Sequence, residues 1–127
     1  MKMPRGLSLL AASIILTGAA IPVIAADARW AGYLLDRSCA DNCKTQGFGV
    51  DFASSHKKEC ALNASCSKDG YALFSKGQWF FLDKKGNQLA KKLLEDSKSD
   101  EGHFVVVTGN LDKTEVHVST MREVSQH

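Results

Sequence analysis

Four cysteines, Cys39, Cys43, Cys60 and Cys66, crowd into one short stretch of the 127-residue chain. Around them no apolar period is sustained. Gly47, Gly49 and pairs of polar residues interrupt every candidate helix or strand. The stretch 38–68 therefore reads as a cysteine-rich loop region, with short helical turns expected at Ala40–Thr45 and around His56–Asn63. Such a segment cannot supply a hydrophobic core. The rest of the chain must build one, and the cysteines must be explained by cross-linking or by ligation.

The first residues set the compartment in which those cysteines would work. Lys2 and Arg5 precede a stretch without ionisable side chains from Gly6 to Ala26, with an apolar centre at Leu7, Leu9, Leu10, Ile14, Ile15 and Leu16. Pro22 and the small residues Ala25 and Ala26 follow, as a leader peptidase requires. Residues 1–25 are expected to be a cleaved signal peptide, leaving no membrane anchor. The working chain would then be one domain, 26–127, in the periplasm or outside the cell. The stretch is nearly long enough for a retained anchor, but Pro22 and the small residues favour cleavage. The whole chain has 16 Lys+Arg against 14 Asp+Glu, and loss of Lys2 and Arg5 leaves 14 of each. A neutral exported domain has no single-sign field to attract nucleic acid, and that class of partner is excluded.

Regular structure is legible on both sides of the cysteine loop. Trp30–Asp36 reads as a strand. Tyr71–Ser75 and Gln78–Asp83 read as a hairpin about Lys76-Gly77. Asp83–Asn87 reads as a turn, and Gln88–Ser97 as a helix with Leu89, Leu93 and Leu94 on one face. His103–Gly109 is rich in β-branched residues, and Thr114–Met121 alternates, so both read as strands joined by a turn at 110–113. The order strand, cysteine loop, strand, strand, helix, strand, strand is that of a five-stranded barrel closed to hide its edges and plugged by one helix. The fold expected is all-β with one helix, an OB-like (oligonucleotide/oligosaccharide-binding) barrel. An open α+β sandwich is the competing architecture.

The motif Gly32-x3-Asp36-x2-Cys39, the Cys/His-bearing loop and Cys66-x3-Gly70-Tyr71-Ala72-Leu73 together resemble a group of small exported bacterial proteins of OB type. The resemblance continues through the hairpin to Val105–Leu111 and the last strand, covering nearly all of the domain. It implies a small barrel in the cell envelope and brings no settled activity. Members of the group have a closer cysteine pair before the glycine than Cys60 and Cys66 here.

In an oxidising compartment four cysteines make two disulfides by default, in one of three connectivities. Pairing neighbours would close only tiny loops. The nested pairs Cys39–Cys66 and Cys43–Cys60 are preferred, because each loop would contribute ~3 kcal/mol by restricting the unfolded chain. The alternative is a metal site. Cys39-x3-Cys43 and His56-x3-Cys60 each set two donors one helical turn apart, with Cys66 as a spare, a set suited to zinc or copper as Cu(I). A thiol-redox role lacks its Cys-x-x-Cys motif.

Nothing in the sequence assigns a catalytic residue. Asp36 and Asp83 close strands, where turn-forming carboxylates are common. His103 and His117 lie on strands expected to pair and read as solvated, and His127 is terminal. Alternation puts Trp79 and Phe81 on one face of a strand and Phe80 and Leu82 on the other. One face must be core; Trp79 and Phe81 are the candidate ligand-binding residues of the other. The sequence thus describes a monomeric, non-enzymatic binding or accessory module held by two disulfides, without cofactor. Its partner would be an envelope protein, a peptide or a glycan. The alternative is an envelope zinc or copper protein using Cys39, Cys43, His56 and Cys60.

Overall fold

The computed structural model describes residues 14, 15, 17–20 and 27–125. The expected leader lies mostly outside these residues, and its few described positions belong to no helix or strand. Among the described residues no helix is long and apolar enough to cross a membrane. The elements are β1 (Ala28–Asp36), α1 (Arg37–Gln46), α2 (Val50–Ser54), α3 (Lys58–Leu62), α4 (Ala64–Ser67), β2 (Tyr71–Ser75), β3 (Gln78–Leu82), α5 (Lys84–Asp96), β4 (Phe104–Asp112) and β5 (Glu115–Glu123).

Five helices overturn the expectation of an all-β, OB-like barrel with a single helix. As many residues lie in helices as in strands, and the class is mixed α/β. The physical reason is local. Four of the helices are short; α1, α2 and α3 bury only the small side chains of Ala40, Cys43, Ala53 and Ala61, and α4 buries none. A search for large apolar residues at helical spacing passes over them. The longest, α1, is instead defined by its ends. Asp36 caps its first turn, and Gly47, in the left-handed region, returns its N–H to the Cys43 carbonyl.

The five strands form one sheet in the order β1-β2-β3-β5-β4, and β4 pairs back onto β1. All pairings are antiparallel except β3 with β5, which touch through Phe81↔Glu115 and Leu82↔Val116. The β2–β3 turn is Lys76-Gly77 with both residues at positive φ, a geometry whose twist matches the strands it joins. Gly32 faces Val105 across β1–β4 and also lies against the Phe74 carbonyl. A Cβ there would collide with backbone, which accounts for the glycine in the Gly32-x3-Asp36 motif.

Alternate residues of the strands, Leu34, Leu73, Phe80, Leu82, Val105, Val107, Val116 and Val118, point to one core. The helix α5 covers it with Ala90 and Leu94, while Leu89 and Leu93 pack at its margin. This helix begins four residues earlier than its apolar stripe suggests. Asp83 accepts from the Gly86 amide and converts the expected turn into the first helical turn. A second, smaller cluster of Leu35, Phe74 and Ala53 lies on the other face of β1 and β2. That is where the cysteine segment folds back, so both faces of β2 are buried.

Candidate metal centre

The last residue of β1 is Asp36, with no accessible surface. Strand pairing with Tyr71 fixes its backbone. Its carboxylate is shared between two tasks. Oδ2 accepts the Cys39 amide at 2.8 Å, capping α1, and Oδ1 lies 2.8 Å from Nε2 of His56. A carboxylate only accepts, so His56 donates from Nε2. His56 sits between α2 and α3 and is itself buried, with its carbonyl accepting the Gly102 amide and its ring beside Phe52. One carboxylate thus ties the end of β1 to the start of α1 and to the far side of the cysteine segment.

Cys39 stands in the first turn of α1, where the cap places it next to Asp36. Donor atoms of Asp36, Cys39 and His56 all lie within 4.8 Å of one another. The electrostatics are those of a site short of positive charge. Burial pushes the Cys39 thiol up to about 12, and the Asp36 charge, a hydrogen bond to that carboxylate, Cys66 and Cys43 add to the rise. Burial and then Asp36 raise Cys43 as well. Burial also works to raise Asp36, yet the His56 and Cys39 hydrogen bonds prevail and its carboxyl lies below the usual value. A nucleophilic cysteine has the opposite shift, towards thiolate at neutral pH.

A cation held here would oppose the upward shift of the Cys39 thiol, favour the ionised Asp36 carboxylate, and supply the positive charge the site lacks. The donor types, carboxylate, thiol and imidazole, are those of zinc sites.

The structure regroups the residues singled out in the sequence. Of Cys39, Cys43, His56 and Cys60, it brings Cys39 and His56 together and adds Asp36, which the sequence reading took as a turn carboxylate. Cys43 is buried one turn further along α1, and Cys60 is exposed on α3. Cys66, on α4, is close enough to act on Cys39, and its carbonyl faces the Ser38 hydroxyl at 3.5 Å. All four cysteines are free thiols, so neither Cys39–Cys66 nor Cys43–Cys60 is formed in this structure.

His103 is not solvated as its alternation suggested. It is 1% exposed, with Nδ1 at 3.2 Å from Glu123 and 3.3 Å from Ser97, and among the described residues its Nε2 has no partner. His117 is exposed between Asp83 and Glu115. Trp79 and Phe81 share the face of β3 turned away from the main core, where Trp79 packs against the smaller cluster. Trp79 packs on Phe74, ring centroids 4.6 Å apart, and Phe81 lies beneath the Arg37 guanidinium. The signal that could have found Asp36 is its spacing. Asp-x-x-Cys at a strand end is the interval over which an N-cap carboxylate reaches an amide, and it delivers the cysteine to that carboxylate.

Comparison with known proteins finds no matching family model, no matching curated protein and no matching solved structure.

Proposed function

We propose that the chain is an exported, non-enzymatic module that holds one zinc ion on Asp36, Cys39 and His56, with Cys66 as the fourth donor. The observation that carries this reading is the convergence of three different ligand types, two of them buried, within 4.8 Å. A mixed set of thiolate, imidazole and carboxylate favours zinc over Cu(I), which prefers sulfur alone. The apolar leader with its small-residue end supports export. The supporting chemistry also sets the sign of a pH effect. Binding must expel the thiol proton, so affinity falls as the pH falls.

Cobalt(II) substitution tests the reading, because tetrahedral thiolate ligation gives strong visible and charge-transfer bands. Reduced, chelator-treated protein is expected to take up one cobalt per chain, displaced by zinc. Cys39→Ser and His56→Ala are expected to abolish the bands, and Cys60→Ser to leave them unchanged. Bands that survive Cys39→Ser, or that vanish with Cys60→Ser, would place the metal elsewhere. No bands at all would remove the metal reading and return the cysteines to disulfide formation.

A further inference from the structure

On the side of the sheet where β3 runs into α5 lies an open cleft of about 540 Å3, within the range of sites for small molecules. Its lining carries four cations: Arg37 from α1, Lys68 just after α4, and Lys84 and Lys91 from α5. A domain with equal numbers of acidic and basic residues has therefore gathered positive charge from three separate parts of its chain. Among the described residues none of the four is in an ion pair.

Two carboxylates also line the cleft, and both are engaged elsewhere. Asp83 Oδ1 accepts the Gly86 and Val118 amides at 2.9 and 3.2 Å, and its Oδ2 faces His117 Nδ1 at 3.7 Å. Glu115 lies 3.6 Å from the other nitrogen of the same ring. The acids are thus drawn towards backbone and histidine. Arg37 is positioned differently. Its guanidinium stacks over Phe81, 4.1 Å from the ring centroid, which restrains the side chain while leaving its in-plane N–H groups for a ligand. Tyr71 and Leu82, both nearly buried, lie beneath the cleft.

We propose that this cleft binds a small multivalent anion, a phosphate ester or polycarboxylate, with Arg37 as the forked donor and Lys68, Lys84 and Lys91 supplying charge. None of the proposed metal ligands lines the cleft, although Arg37 follows Asp36 and Ser67 follows Cys66 in the chain.

The test is isothermal titration of the whole domain with phenyl phosphate and, separately, tricarballylate, each at ionic strength matched with chloride and repeated with added zinc. Saturable one-to-one binding is expected, and the stronger of the two probes identifies phosphoryl or carboxylate recognition. Amide resonances of Lys68 and Lys84–Gln88 are expected to shift on binding. Arg37→Gln and Lys91→Gln are each expected to weaken binding roughly tenfold, while Lys113→Gln changes it less than about twofold. If loss of the Arg37–Phe81 stack disturbs the fold, Lys68→Gln with Lys91→Gln, both exposed, carries the same expectation. Two results would overturn the proposal: no binding by either anion above chloride, or equal weakening by Lys113→Gln. Failure here with cobalt still bound would leave the metal reading standing.

Discussion

The closed sheet and the cysteine segment are held by different forces. The sheet with α5 buries large side chains, Leu34, Leu73, Leu94, Val105, Val107 and Val116 among them, each less than 2% exposed. Burial of such residues contributes roughly 1.5–3 kcal/mol apiece. The segment from Arg37 to Ser67 buries alanines, one cysteine and a histidine. It is fastened mainly by directed contacts: Asp36 to His56, the Tyr71 hydroxyl to the Ala61 carbonyl, Lys58 Nζ to the Ser97 carbonyl, and the Lys58 and Gly102 amides to Asp100 and His56. A region held by area is tolerant of chemistry and intolerant of lost volume. A region held by a few polar bonds is the reverse.

The largest effect is expected where area dominates. Leu73→Ala removes a fully buried side chain from β2 and should cost ~2–5 kcal/mol, seen as a lower denaturation midpoint by tryptophan fluorescence. The loss should be global and the same with or without zinc. A loss below ~1 kcal/mol would mean that the core is not the source of stability, and the contrast between the regions would fail.

A smaller, local effect is expected at the polar fastening. Asp36→Asn keeps the shape and can still cap α1, but it removes the charge that His56 and Cys39 address. The cost should be ~1–3 kcal/mol. Hydrogen exchange should quicken across 37–67 while β4 and β5 stay protected. The wild type adds a pH signature. Because the folded Asp36 carboxyl titrates below its ordinary 3.8, its contribution is in place above that pH and is lost as the pH falls through the lowered folded value. Asp36→Asn should abolish that acid step. Uniform loss of protection in sheet and segment alike would show that the two are one cooperative unit.

The same division decides how much could be read from the sequence. The positions of the five strands along the chain, the Lys76-Gly77 hairpin and the leucine face of α5 were legible, because period and turn chemistry report large buried side chains directly. The short helices were not, because Ala40, Ala53 and Ala61 give little periodic signal and the ends of α1 are defined by single capping residues. The candidate site was half legible. Spacing pointed to Cys39 and His56, but pairing each with its helical neighbour brought in Cys43 and Cys60. Asp36 was hidden by the commonness of aspartate at strand ends. Only the fold shows that His56, twenty residues along the chain, returns to it. His103 misled in the same way. An alternating strand suggests which side chains face outward, but not that Ser97 and Glu123 close over this one.

The least disturbing probe leaves the fold intact and reads the four thiols one at a time. Alkylation requires thiolate and access, so its rate reports both burial and charge. Cys60 is exposed, whereas burial and then Asp36 hold the Cys39 thiol near 12 and raise Cys43 in the same direction. In native, metal-free protein at a pH near 9.0, Cys60 should be modified first, Cys66 next, and Cys39 and Cys43 slowly. Peptide mass mapping over time gives the order. These raised values also make an alkaline limb. Folded Cys39 holds its proton where an unfolded thiol has begun to lose it, so its contribution is present below pH 9.0 and is lost as the pH rises towards about 12. Asp36→Asn should speed Cys39 by removing the charge that opposes its thiolate, without changing Cys60. If Cys39 and Cys60 react together in the wild type, Cys39 is neither buried nor opposed by Asp36. If no thiol reacts until reductant is added, the chain carries disulfides instead of the free thiols that the proposed metal site needs.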